Sequence, residues 1–225
     1  HQKIKLISLA RDSYVFIPEY GFFSKLAYSY TWGGAAMAVK NLNYNYYLNV
    51  SDYIAVDFDQ LAEIIDRIGG VTVNIDEDEA RYLSNYPNVH VGDCLLDGET
   101  AVSYARIRKS SATDSDRKRT GRQREVILSI LNTLQTMPLS QYPGFVRDCL
   151  GMCATSFEAE TLLTMAAETL GQNYTVEQYF FPEGQVDWWA GLIKEYFYYV
   201  YDLRRASDRI YRIIYEELYI SGYDD

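Results

Sequence analysis

Cysteine and histidine are scarce in this chain, with three and two among 225 residues. Cys94, Cys149 and Cys153 are too few for a disulfide framework. Cys149 and Cys153 stand four apart in a segment that can be helical, which leaves three readings: free structural thiols, one strained bridge in an oxidising compartment, or a metal. The Cys and His companions that zinc requires are missing there. Long apolar runs are absent too, so nothing reads as a membrane span, and no signal-peptide pattern is visible. The first residue is His1, which reads as a processed or trimmed fragment. No Pro/Gly/Ser-rich linker, low-complexity run or fixed-period repeat divides the sequence, so one domain over residues 1–225 is expected. Positive charge is the minority, 21 Lys and Arg against 31 Asp and Glu for a net charge of −10. That balance excludes a general nucleic-acid binder, whose nonspecific affinity needs a broad basic face.

Against that acidic field, one short stretch is strongly basic. Between Arg106 and Arg124 lie Arg106, Arg108, Lys109, Arg117, Lys118, Arg119, Arg122 and Arg124 against only Asp114 and Asp116, a local charge of +6. Like charges at this density repel, so they persist on a solvated face, beside compensating acids or around an anionic ligand. Guanidinium groups suit phosphate, because their forked donors meet two oxygens at once. Tyrosine is abundant, at 22 residues. Its uses divide between core and surface packing and an interface for carbohydrate or membrane, where a ring offers an apolar face and a wet hydroxyl.

Periodicity orders the elements. Lys3 to Leu9 and Tyr14 to Ile17 read as strands around the polar turn Arg11-Asp12-Ser13. Gly33-Gly34 lead into a small-residue helix from Ala35, with room for close backbone approach. Tyr53 to Phe58 reads as a strand, and Asp59 as the cap of an amphipathic helix over Gln60 to Ile68. Gly69-Gly70 close that helix before the strand Val71 to Ile75. Asp97 caps a helix from Gly98 towards Ile107, placing Arg106 and Arg108 at its C-terminal end, where positive charge complements the dipole. After a polar loop over Lys109 to Asp116, a second helix is expected from Lys118 to Leu134, with Arg119, Arg122, Gln123 and Val126 on one face. Arg117 and Arg124 point elsewhere and read as solvated. Thr155 to Leu170 reads as a helix, Gln178 to Phe181 and Glu195 to Tyr201 as strands, and Asp202 to Tyr219 as a last helix. Trp188-Trp189 are expected in the connecting loop, either anchoring the core or facing a sugar. The succession of strand, helix and strand implies an α/β (α+β) fold with helices laid on a sheet.

Several motifs, in order, resemble the LytR-CpsA-Psr family of cell-wall glycopolymer transferases. They are Ile7-Ser8-Leu9-Ala10-Arg11-Asp12-Ser13-Tyr14-Val15, then Ser24-Lys25-Leu26 with Gly33-Gly34, then Asp57-Phe58 and Ile68-Gly69-Gly70-Val71-Thr72-Val73. Most specific is Leu96-Asp97-Gly98-Glu99-Thr100-Ala101 leading to Tyr104-Ala105-Arg106-Ile107-Arg108, followed by Asp116, Arg119 and Arg122-Gln123. The likeness covers at least residues 4–127 and becomes architectural beyond about residue 135.

The resemblance implies a central mixed β-sheet flanked by helices around an apolar lipid pocket. It also implies an enzyme at the extracytoplasmic face of the bacterial cell membrane, tethered by an N-terminal helix that this chain lacks. Such an enzyme moves an anionic glycopolymer, such as teichoic acid or capsule, from a polyprenyl pyrophosphate carrier to a peptidoglycan hydroxyl. By motif, Arg11, Lys25, Arg106, Arg108, Arg119, Arg122 and Gln123 would hold the pyrophosphate. Asp12 would lie near a magnesium ion, and Asp12 or Asp116 would serve as base. Arg11, Asp12, Arg106, Arg108, Asp116 and Arg119 form the implied catalytic set, since phosphoryl transfer rests on positioning and charge neutralisation. The family's first aspartate-bearing strand is missing here, and Lys118 and Arg124 stand where the family commonly has glycine and glutamine. Two other classes fit less well: a non-catalytic module binding polyprenyl phosphates or wall polymers, and a nucleic-acid-binding attenuator suggested by the basic cluster alone.

Overall fold

A computed structural model describes residues 3–108, 112–169, 174–182 and 186–215. In chain order the first elements are β1 (Lys3–Leu9), β2 (Tyr14–Ile17), β3 (Phe22–Lys25) and α1 (Leu26–Tyr46). There follow β4 (Ile54–Ala55), α2 (Phe58–Arg67), β5 (Val71–Ile75), α3 (Glu77–Tyr82), β6 (Gly92–Leu96), α4 (Gly98–Ala105) and α5 (Ala112–Thr136). The chain continues through α6 (Tyr142–Met152), β7 (Ala154–Thr155), α7 (Ala159–Thr169), β8 (Thr175–Phe181), β9 (Trp188–Ile193), β10 (Tyr196–Tyr201) and α8 (Leu203–Tyr215). These divide into two units: one holds Lys3–Tyr53 and the chain from Val176 onward, and the other holds Ile54–Thr175.

The unit formed by the two ends of the chain is mixed in its pairing. β2 and β3 form an antiparallel hairpin with Tyr14 opposite Lys25. β9 and β10 form another, β1 pairs with β8, and a parallel bridge joins Ser13 to Tyr199. Its core gathers Ala10, Val15, Ile17, Tyr46, Tyr199 and Ile210, each at most 2% exposed. Within it Ser13 Oγ lies 2.8 Å from Tyr201 Oη, which lies 2.6 Å from Tyr46 Oη, so these buried hydroxyls are partners to one another. Trp188 and Trp189 lie on β9 and are 42% and 49% exposed, so neither the expected loop nor a core anchor describes them. The expected helix after Gly33-Gly34 begins earlier, at Leu26, and Gly34 breaks it with a φ of +66° that only glycine adopts freely.

In the other unit, β5 alternates as a half-buried strand, with Val71, Val73 and Ile75 inside and Thr72 and Asn74 outside. It pairs antiparallel with β6, Val71 facing Leu96 and Ile75 facing Gly92. Gly70 has a φ of +103°, and a Cβ there would stand 2.8 Å from the Leu96 carbonyl oxygen. The cap of α2 is Asp57, where Asp59 was expected. Asp57 accepts from the Gln60 N–H at 2.8 Å while the Gln60 side chain returns to the Asp57 N–H, a reciprocal capping box that starts the helix at Phe58. The strand expected over Tyr53 to Phe58 therefore shrinks to Ile54–Ala55, which pairs with β7. α5 starts six residues before the expected Lys118, absorbing part of the expected loop, and α7 starts at Ala159 because Thr155 belongs to β7. Residues 109–111 and 216–225, which include Lys109 and the expected end of the last helix, lie outside the described residues. All three cysteines are free thiols, Cys94 buried and the other two half-buried. Burial, followed by its neighbour Cys153, pushes the Cys149 thiol up to about 11, so it is a protonated packing group at neutral pH.

Candidate functional site

Each unit presents a fastened turn bearing cationic side chains. In the terminal unit this is Arg11-Asp12-Ser13, between β1 and β2. Its carbonyls are taken up from two sides: the Ala27 N–H donates to Arg11 at 3.0 Å, Tyr199 to Asp12 at 2.9 Å and Leu26 to Ser13 at 3.0 Å. Ser13 Oγ donates to the Ala10 carbonyl at 2.7 Å. The ladder that sets Lys25 opposite Tyr14 also carries Lys25 Nζ to 2.8 Å from Asp12 Oδ1 and 5.7 Å from the Tyr198 ring centroid. Arg11 Nε lies 3.8 Å from the same oxygen, with the arginine side chain half exposed. Arg11, Asp12 and Lys25 are thus brought together. Asp12 Oδ1 is shielded from solvent and meets Lys25 as an ion pair without hydrogen-bond geometry.

In the central unit the basic turn follows α4. Asp97 caps this helix, its Oδ1 accepting from the Thr100 N–H at 2.9 Å, and those bonds hold the carboxyl below its usual range. Gly98 sits so close to α2 that a Cβ would lie 2.1 Å from the Ala62 carbonyl oxygen, while its N–H donates to Asp66 Oδ1 at 2.7 Å. The Asp-Gly pair of the motif therefore locks α4 onto α2 and aims its C-terminus. There Arg106 and Arg108 are exposed on either side of Ile107, which is completely buried.

Beneath that turn runs a buried ionic strut that sequence reading missed. Arg122 Nη1 donates to the Ile107 carbonyl at 3.3 Å, and its Nε donates to Glu79 Oε1 at 2.6 Å. Both side chains are under a tenth exposed. The second Glu79 oxygen accepts from the Asp76 N–H at 2.9 Å, closing a capping box at the start of α3. The spacing Asp76-x-x-Glu79 suits a capping box, whereas the second duty of Glu79, to a residue 43 positions away, carries no local signal. Next to the strut, Tyr104 donates to Glu125 Oε2, and burial and then that carboxylate push the phenol well above its usual value.

The basic cluster consequently separates by depth. Arg106, Arg108, Arg117 and Lys118 are exposed, whereas Arg119 and Arg122 are buried on the face of α5 that carries Val126 and Ser129. Ser129 Oγ accepts from the Thr72 N–H at 2.8 Å, fixing that face against β5. Gln123, expected on the same face, is exposed. Arg122 was expected on pyrophosphate and is committed to Glu79 and Ile107 instead. The side chain of Asp116 lies outside the described residues. Arg106 also gains a partner that charge patterning did not reveal: its guanidinium stands 4.5 Å over the ring of Phe58.

Asp12 is the one predicted metal residue. Among the described residues no group of three or more His, Cys, Asp or Glu side chains could hold a metal ion. Asp12 Oδ1 accepts no hydrogen bond but is shielded from solvent with Lys25 Nζ 2.8 Å away, so a magnesium ion at this oxygen would have to displace the Lys25 ammonium.

Guanidinium and ammonium groups held at rigid turns of an α/β fold are a donor set suited to phosphate oxygens. The chain belongs to the LytR_cpsA_psr family, whose model matches residues 1–211. It is 33% identical over 132 residues to the polyisoprenyl-teichoic acid–peptidoglycan teichoic acid transferase TagU of Enterococcus faecalis, an alignment covering 59% of this chain and 42% of that protein. TagU of Oceanobacillus iheyensis is 29% identical over 181 residues, covering 77% and 55%. The chain thus spans about half the length of these relatives. It shares the fold of Bacillus subtilis YwtF (TagT) with bound octaprenyl pyrophosphate lipid, at a TM-score of 0.72 and 17% identity over 94% of this chain and 78% of that one.

Proposed function

We propose that this chain transfers an anionic glycopolymer from a polyprenyl pyrophosphate carrier to a peptidoglycan hydroxyl, acting as one functional domain at the extracytoplasmic face of a bacterial membrane. The observation that carries this reading is the Arg106–Arg108 turn, two exposed guanidinium groups braced from below inside a chain of the LytR_cpsA_psr family. In the reaction the acceptor oxygen attacks the phosphorus bearing the polymer. The bridging P–O bond of the pyrophosphate breaks, polyprenyl phosphate departs, and a phosphodiester remains. Arg106 and Arg108 meet the diphosphate oxygens and balance the charge that builds on the leaving phosphate, a role the family motif also gives Arg11. By motif Arg119 and Gln123 extend that set, and Lys25, paired with Asp12, orients the separate Arg11-Asp12-Ser13 turn. Asp12 would be the residue to hold a magnesium ion, which would supply further charge neutralisation. Asp12 or Asp116 takes the acceptor proton, which the departing phosphate can in turn receive.

Mass spectrometry of lipid co-purified with the chain, repeated for Arg106→Ala with Arg108→Ala, tests this. Polyprenyl pyrophosphate or phosphate is expected with the parent chain and greatly reduced in the double variant. Equal retention removes the phosphate assignment. Retention by the parent without polyprenyl phosphate release, when acceptor and magnesium are supplied, instead identifies a non-catalytic binding module.

A further inference from the structure

In the central unit Arg106 is seated on an aromatic face, and the seat is exposed. We infer that Phe58 is a positioning residue that holds Arg106 edge-on to a diphosphate. This inference rests on the function proposed above. The guanidinium carbon of Arg106 lies 4.5 Å from the Phe58 ring centroid. A cation over a ring uses its flat face, while its five N–H donors lie in the guanidinium plane and stay open to two oxygens. An exposed arginine otherwise wanders among many rotamers, an entropy that binding must overcome. Stacking removes part of that cost beforehand.

Phe58 is 52% exposed, so the ring is not core filler. Its place is set by backbone: it is the first residue of α2, fixed by the Asp57–Gln60 capping box. Arg106 is the C-cap of α4, and α4 is locked to α2 by the Gly98 approach to Ala62 and the 2.7 Å bond to Asp66. Two helices of fixed separation therefore deliver ring and guanidinium to each other. Among the described residues no ring lies under Arg108, which makes Arg106 the pre-oriented member of the pair.

The test is the affinity of the 225-residue chain for octaprenyl pyrophosphate in detergent and, separately, for inorganic pyrophosphate. Phe58→Leu keeps the apolar bulk and removes the π face; it is expected to weaken both ligands about two- to fivefold. Phe58→Trp should restore or exceed the parent affinity. In an Arg106→Ala background, Phe58→Leu should add nothing. Parent-like affinity in Phe58→Leu alongside a loss in Arg106→Ala overturns the role of Phe58 and leaves the proposed function standing. No loss in Arg106→Ala itself overturns the site assignment. A Phe58→Leu loss confined to the prenylated ligand, or persisting without Arg106, shows direct contact with the lipid and also overturns the inference.

Discussion

The two cationic turns use charge in opposite ways. At Arg11-Asp12 the carboxylate stands among the cations, with Lys25 Nζ 2.8 Å away, and main-chain hydrogen bonds hold the turn. At Arg106–Arg108 no carboxylate among the described residues pairs with the cations, and a buried acid, Glu79, reaches the turn through Arg122 and the Ile107 carbonyl. The difference is where the counter-charge is placed. A carboxylate beside the cations orients them and competes with an incoming anion; one beneath fixes the backbone and leaves the surface charge uncancelled.

The contrast breaks most sharply at the strut. Glu79→Ala leaves the Arg122 charge buried without its partner, and a loss of about 3–5 kcal/mol is expected in denaturant titration. Replacing both residues by apolar groups of similar volume should recover much of that. If the single change costs under about 1 kcal/mol, the turn is not braced as described. Next is Gly98→Ala, which drives a Cβ into the Ala62 carbonyl at 2.1 Å. It should cost about 1–3 kcal/mol or more and weaken pyrophosphate binding, since the C-terminus of α4 must shift. Asp97→Ala, which removes only the cap, should cost about 1 kcal/mol by thermal denaturation. Because folding lowers the Asp97 carboxyl, the stability it supplies is present above the unfolded carboxylate range and is lost as pH falls through the folded value. The parent and variant curves should therefore converge in acid. The smallest effect is Arg117→Ala on the exposed side of α5, expected within about 1 kcal/mol of the parent because exposed charge pairs contribute little. Unchanged pyrophosphate affinity in this variant would separate Arg117 from the arginines at the turn.

Much of the fold was legible locally. The alternation of Val71, Val73 and Ile75 marked a half-buried strand, and Asp97 before Gly98 marked a helix start, because period and capping act over a few residues. Boundaries failed where two local signals competed. Asp57 and Asp59 are both plausible caps, and only the reciprocal bond with Gln60 decided between them. Trp188 and Trp189 were read as loop because their strand, β9, gains its hydrogen bonds from β10. Missed site residues shared one trait: Phe58 and Glu79 act on partners distant in sequence, and nothing in their own neighbourhood signals it.

By itself the sequence determined several of the strands and helices, the motifs of the family, and the concentration of guanidinium groups between Arg106 and Arg124. Those properties follow from covalent order and short-range hydrogen bonding. Tertiary structure decided which of those cations face solvent: Arg106 and Arg108 stay exposed, Arg122 is committed to Glu79, and the Phe58 ring stands 4.5 Å from the Arg106 guanidinium carbon. The physical reason is that charge is fixed by residue type, whereas burial and pairing depend on which segments pack together.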